Sequence, residues 1–262
     1  GFLHRTVLTD LAPDTNYEYQ VSSGPTYRTR TAPNIPSNFT FAFLADTGLI
    51  GRLDGNTTGT RQIIGEVLRD RPRFILGGGD YAYGNKDGRF DEMGDAIDTW
   101  FLQWQDVLAQ YPFMAQYGNH EIYLRETYED WAPRFAHPDG WDQNRNYSFN
   151  VGGVHFTSLF LPGKNLTDEQ LDWLDADLKA ARNADWRIVF QHESIYGHGT
   201  SHPARPENRA ALAPIFERHD VDLHLSCHDQ NYERTFPLTH VPDNPTPGST
   251  HLNAYRAGQG VI

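Results

Sequence analysis

The sequence predicts an α/β fold preceded by a short all-β segment, and three observations lead there. From residue 39 onward, short apolar runs of strand length alternate with longer segments of helical period. Several of those runs end in Asp, Asn or His, which sets polar groups along one sheet edge, where α/β proteins hold their sites. Before residue 39 the pattern is strand-like alternation without a helical segment.

In chain order, Val7 and Leu8 lead into a Leu11-x-Pro13-x-Thr15 turn and then the alternating Tyr17, Tyr19 and Val21, together read as two strands of a β-sandwich. This stretch resembles the late strands of a fibronectin type III-like domain. So few strands do not hold a sandwich together, so residues 1–31 are expected to be the end of such a domain, with its earlier part upstream of Gly1. Ala32-Pro33-Asn34-Ile35-Pro36 stiffens a linker over 32–38, and 39–262 form the main domain. There Phe39–Ala45 reads as a strand ending at Asp46, Thr60–Arg69 as an amphipathic helix, and Phe74–Leu76 as a buried strand entering Gly77-Gly78-Gly79-Asp80. Asp95–Ala109 is predicted helical, and Trp100, Phe101 and Trp104 are expected in the core. Tyr147–Val151 and Val154–Phe160 should pair antiparallel around Gly152-Gly153. Thr167–Arg182 carries the clearest helix signal, a capping box from Thr167 and Gln170. Ile188–Gln191 and Val221–Ser226 read as strands and Pro206–His219 as the helix between them.

The 262 residues are enough for one large domain with a small appendage. A formal charge of -12 excludes a surface-wide attraction to nucleic acid or anionic membrane. An anionic small substrate would therefore need local positive charge, from bound metal or a few placed side chains. No apolar run approaches the ~20 residues that span a bilayer. The single cysteine, Cys227, excludes an internal disulfide and a cysteine-based zinc cluster. Asn38, Asn56, Asn146 and Asn165 each stand in an Asn-x-Ser/Thr sequon. No signal peptide is visible, and the chain opens in mid-pattern at Gly1.

Five short segments deliver metal-ligand side chains at strand ends or in tight loops: Asp46-Thr-Gly48, Gly79-Asp80-Tyr-Ala-Tyr83, Gly118-Asn119-His120-Glu121, Val189-Phe-Gln-His192 and Cys227-His228-Asp-Gln230. In this order they resemble the calcineurin-like metallophosphoesterases, and within them the purple acid phosphatases. Asp46-Thr47-Gly48 stands where most of that superfamily has Asp-x-His, and Gly-Asp-x-x-Tyr offers Tyr83 as a phenolate instead. The resemblance implies two mixed sheets flanked by helices, a secreted or periplasmic protein, and hydrolysis of phosphate monoesters by a metal-bound hydroxide. It implies Asp46, Asp80 and Tyr83 on a first metal, Fe(III), with Asp80 bridging. Asn119, His192 and His228 would hold a second metal, Fe, Zn or Mn. It also implies that His120, His202 and the rival His198 face the substrate phosphate or its leaving group.

The family's last motif, Gly-His-x-His, reads Cys227-His228-Asp229-Gln230 here, in a register fixed by Tyr232-Glu233-Arg234. Gln230 therefore replaces a histidine ligand of the first metal. A neutral amide oxygen in that place makes an all-oxygen site, which favours hard ions and admits Mg or Ca. Cys227 is expected to be a buried, inert thiol in place of a packed glycine. Two alternatives stay open: a phosphodiesterase or nucleotide-pyrophosphate hydrolase on the same metals, and a secreted binder that has lost the first metal with its histidine.

Overall fold

The computed structural model describes residues 3–50, 57–84, 88–122, 127–161, 166–197, 199, 202–239, 246–247 and 261. They divide into two compact units, Gly1–Ala115 with Asn119–Ala136, and Gln116–Gly118 with His137–Ile262.

The first unit opens with a hairpin of β1 (Asn16–Gln20) and β2 (Thr26–Arg30), paired Asn16 with Arg30 through Gln20 with Thr26. Alternate residues, Tyr17, Tyr19, Tyr27 and Thr29, are half-buried and the rest exposed, as one-sided packing of a two-residue period requires. Val7 and Leu8 lie outside any strand and are exposed, so the strand they lead into is β1 alone. Its partner is hard to read because Thr26–Arg30 sets only one aromatic side chain, Tyr27, among Thr and Arg. Tyr19 ties this hairpin to the rest of the unit by donating its hydroxyl to Ala109 O at 2.6 Å.

Three parallel strands follow, in the order β3 (Ala42–Leu44), β4 (Ile75–Gly77) and β5 (Phe113–Ala115). Helix α1 (Thr57–Asp70) connects the first two. The helix predicted over Asp95–Ala109 is two segments, α2 (Met93–Gln103) and α3 (Gln105–Leu108), meeting at Trp104. Trp104 N–H still makes the helical bond to Trp100 O at 3.0 Å, but its φ of −96° and ψ of 4° leave helical values, and α2 ends there. Trp100 and Trp104 are fully buried as expected, while Phe101 is half-buried. Strand β5 went unpredicted because three residues after Pro112 leave no periodic signal. A short helix, α4 (Tyr128–Trp131), brings Trp131 onto the same aromatic core, 5.9 Å from Trp100 ring to ring.

The second unit holds a four-stranded mixed sheet ordered β6 (Tyr147–Val151), β7 (Val154–Ser158), β8 (Trp186–Glu193) and β9 (Leu223–Cys227). The expected hairpin stands: β6 and β7 are antiparallel around Gly152 and Gly153, both left-handed at φ 55° and 91°. The remaining pairs are parallel, with crossovers through α5 (Asp168–Ala180) and α6 (Pro206–Arg218). Of the two sheets expected to be mixed, this one is; the sheet of the first unit is parallel in its described strands. The capping box of α5 forms reciprocally, Gln170 N to Thr167 Oγ1 and Thr167 N to Gln170 Oε1, both 3.2 Å. Leu174 and Leu178 of α5 bury against Val189, Leu212 and Phe216, each contributing about 1.5–3 kcal/mol by leaving water.

Two buried polar features stand out in this unit. Asp177 of α5 accepts from Ser148, Thr157 and His155 Nε2 at 2.6, 2.7 and 3.0 Å. Burial works to raise its carboxyl, but those hydrogen bonds and the His155 ring outweigh it and hold it below the usual value. Asn146 is fully buried, with Oδ1 accepting from Phe160 N at 2.8 Å, so its sequon is inaccessible in the folded chain. Asn38 is exposed, while Asn56 and Asn165 fall outside the described residues.

His224 on β9 is half-buried as a residue, yet its Nε2 is sealed from solvent with no partner among the described residues. Desolvation lowers its pKa to about 4. The unfolded chain therefore takes up a proton below about 6.5 that the folded chain refuses until about 4. Stability is expected to fall as pH drops through that window. His224→Leu should flatten the slope, by up to about 3 kcal/mol, in urea unfolding at pH 7 and pH 4.5. Equal pH slopes for the two proteins would overturn the assignment.

Candidate functional site

Two loops build the polar edge of the first unit, one after β3 and one after β4. They remain bonded beyond the strand ends: Gly78 N to Leu44 O at 2.7 Å, Asp46 N to Gly79 O at 3.0 Å, and Thr47 N to Asp80 O at 3.1 Å. Gly77 is required at the end of β4, because a Cβ there would collide with Phe113 and the Tyr81 hydroxyl. Tyr81 is buried against Trp100 and Trp131, with ring centres 5.1 and 5.4 Å away, so the residue next to Asp80 is anchored in the aromatic core. Thr47 completes the tie, donating to Tyr81 O at 3.0 Å and accepting from Trp100 Nε1 at 3.1 Å.

A turn over Asn119–Glu121 supplies the third part. Glu121 is fully buried, and its two carboxylate oxygens accept the backbone N–H groups of Asp80 and Tyr81 at 2.7 and 2.8 Å. In return Asp80 Oδ1 accepts from His120 N at 2.8 Å. Tyr83 donates its hydroxyl to Asp46 Oδ1 at 2.9 Å. Burial, then the charges of Asp46 and Asp80, push the Tyr83 hydroxyl well above the usual phenol range. The buried His120 ring packs on Tyr83 with centres 4.1 Å apart. Asn119 Oδ1 is sealed from solvent and has no hydrogen-bond partner among the described residues. A buried amide oxygen left bare costs about 1–3 kcal/mol.

In the second unit a β-bulge aims the key histidine. Phe190 pairs with Leu225 and Glu193 with Cys227, so Gln191 and His192 together oppose the single residue Ser226. His192, fully buried, sets Nε2 3.1 Å from His228 Nδ1. Two nitrogens bound to one ion at about 2.1 Å with a right angle between them lie about 3.0 Å apart, so this pair has the spacing of two ligands of one metal. Cys227 Sγ lies 3.4 Å from His192 Nδ1 and 3.7 Å from Gln191 O. The residue is half-buried and its sulfur lies against a candidate ligand, which corrects the expectation of a buried thiol. The exposed His202 lies against His228, ring centres 4.1 Å apart and planes tilted by 40°. Gln230 is exposed in left-handed backbone, and His198 lies outside the described residues.

Five candidate ligands, Asp46, Asp80, Tyr83, His228 and Gln230, hold φ between 53° and 71°. Asp and His tolerate left-handed backbone better than most residues, whereas for Tyr83 and Gln230 it costs on the order of 1–3 kcal/mol each. The carboxylate, phenol and amide donors of the first unit and the imidazole pair of the second are each of a type that suits Fe, Mn or Zn, and the bare Asn119 oxygen fits a metal ligand. Asp46, Asp80 and Tyr83 are thus brought together in one unit, with Asn119 one residue before the His120 amide that Asp80 accepts; His192, His228 and His202 gather in the other. The motifs alone assign no role to Glu121. The available signal is an acid closing the Gly-Asn-His-Glu turn, but burial is what turns it from a surface group into a clamp. Glu121→Gln would set an amide N–H against a backbone N–H. It is expected to cost about 1–3 kcal/mol in urea unfolding and to weaken metal retention about 10- to 100-fold. Metal titration matching the unsubstituted protein would rule out the clamp.

Similar proteins carry related names. The chain is 28% identical to acid phosphatase type 7 of Danio rerio, covering 90% of this chain and 58% of that one. It is 28% identical to purple acid phosphatase 15 of Arabidopsis thaliana, with 90% and 50% covered. Among solved structures, purple acid phosphatase PPD1 from yellow lupin seeds superposes with a TM-score of 0.71 at 20% identity, over 93% of this chain and 48% of that chain, a match of fold. The chain spans about half the length of the curated relatives it matches. Residues 39–232 match the calcineurin-like phosphoesterase family, and to that family this chain belongs.

Proposed function

We propose that the chain is a metal-dependent hydrolase of phosphate monoesters, of the acid phosphatase type, working with two metal ions. The observation that carries this reading is the donor set of the first unit, with Asp80 and Tyr83 buried and Asp46 half-buried. Asp46, Asp80 and Tyr83 sit in left-handed backbone beside an Asn119 oxygen that no described protein group satisfies. Strain of that kind is retained where the arrangement has a use. Asp46, Asp80 and Tyr83 would hold an Fe(III), and Asn119, His192 and His228 an Fe, Zn or Mn, with Asp80 shared. When bound, the ions supply an activated water and charge neutralisation for in-line displacement at phosphorus.

The chain's own groups do the rest. His120 holds a phosphate oxygen of the substrate. As the P–O ester bond breaks, His202 gives a proton to the departing alkoxide, which leaves as an alcohol. The water oxygen stays on phosphorus, and inorganic phosphate is the second product. Gln230 in place of an imidazole weakens the first ion's hold and shifts its preference toward hard cations.

Removing Asp80, the shared ligand, is expected to abolish p-nitrophenyl phosphate turnover; an Asp80→Ala protein working at the parent rate would refute the two-metal reading. Elemental analysis of the purified protein should return two ions per chain, with a tyrosinate-to-iron band in the visible spectrum. Stripping the ions with a chelator should bleach that band and lower the melting temperature, since ligands that bind only the folded state stabilise it by mass action. Substoichiometric metal, no colour and no turnover after reconstitution would favour a binding protein on this fold instead.

A further inference from the structure

On the phosphatase reading, we infer that Arg205 is a specificity-determining residue that recognises a second anionic group, carboxylate or phosphate, on the leaving portion of the ester. A cleft of about 350 Å³ opens beside His228 and is lined further by His202, Glu193, Arg205 and Glu207. Its volume is in the range of small-ligand pockets, about 300–1,000 Å³. One wall is the candidate ligand His228, so a phosphate ester held there would extend its leaving group into the cleft.

Among the described residues, Arg205 is the one arginine or lysine in that lining. It is held in place from behind: Nε lies 2.9 Å from Oε2 of Glu193, whose side chain is only 4% exposed against 38% for Arg205. A carboxylate so buried needs a cation, and the pairing fixes the guanidinium where a free side chain would wander. The backbone helps, since Arg205 is extended at φ −93°, ψ 111° and is followed by Pro206 at the start of α6. Glu193 stands beside the Nε edge as an ion-pair partner without a hydrogen bond at its Oε2, and the guanidinium has no further partner among the described residues. Two Nη groups are therefore left to bind a planar or tetrahedral anion bidentately. Glu207 at the rim is exposed, so its charge is screened by water. In a chain of net charge -12, a placed cation of this kind is what a doubly anionic substrate requires.

The test compares Kd values on the metal-loaded protein by isothermal titration calorimetry. The probes are propylphosphonate, 3-phosphonopropionate and ethane-1,2-diphosphonate, which carry a methyl, a carboxylate and a phosphonate on the same two-methylene spacer. The unsubstituted protein should prefer one of the doubly anionic probes over propylphosphonate by about 10- to 100-fold, and which one tells a carboxylate from a phosphate. In Arg205→Lys the ammonium keeps Glu193 paired but offers no fork, and in Arg205→Gln the charge is gone. Both variants should bind all three probes within about threefold. No preference in the unsubstituted protein, or a preference that survives Arg205→Lys, overturns the assignment. Turnover of p-nitrophenyl phosphate tests the phosphatase reading separately, because the binding ratio decides Arg205 even in a protein that hydrolyses nothing.

Discussion

A carboxylate without access to water, that of Glu121, takes the amide protons of Asp80 and Tyr81, and the polar edge of the first unit is arranged around it. Ionised and buried, it would be costly unless both oxygens were bonded. Bonded, it fixes two consecutive peptide planes, and with them the direction in which Asp80 leaves the chain. Asp80 then accepts the amide of His120, so the turn that carries Glu121 is held by the loop it holds. The loop after β3 is pinned to the same place by its bonds to Gly79 and Asp80. Left-handed backbone at Asp46, Asp80 and Tyr83 is tolerated in that setting, because the surrounding bonds over-determine it.

The second unit reaches a comparable result by a different device. Its histidine is aimed by one extra residue in β8, a bulge that breaks the ladder between Phe190 and Glu193. The same displacement leaves Glu193 at the strand end, buried and facing Arg205. One irregularity therefore sets both a candidate ligand and the wall of the neighbouring cleft.

Much of this is legible in the order of the residues. The alternating strands around Gly152-Gly153, the capping box at Thr167 and the strand-end Asp and His residues all rest on local rules, and each stands where those rules put it. Local rules also mark Trp100 and Trp104 as core. Most of what they miss depends on long-range contact. The strand at Phe113–Ala115 exists because Ile75–Gly77 offers it a ladder, not because three residues have a period. The break at Trp104 is a change in its own backbone, ψ 4°, at a residue with no Gly or Pro to announce it. Glu121 and Arg205 are ordinary charged residues in sequence, and only the burial of Glu121 and of Arg205's partner Glu193 gives them roles. The expectation for Cys227 fails for a related reason: nothing local shows that its sulfur faces an imidazole.

The burial of Asn146 bears on how the chain can be made. Its side-chain oxygen is engaged by the amide of Phe160, at the open end of the hairpin of β6 and β7. In a host that attaches sugars during synthesis, the sequon is open only until that hairpin closes. A chain modified in that interval carries a bulky polar group where no space exists, and it cannot complete the sheet. Hairpins close within microseconds once their residues are free to pair, so the outcome is a race between transferase and fold. The product would be two populations, one unmodified and native, the other glycosylated and kept from folding.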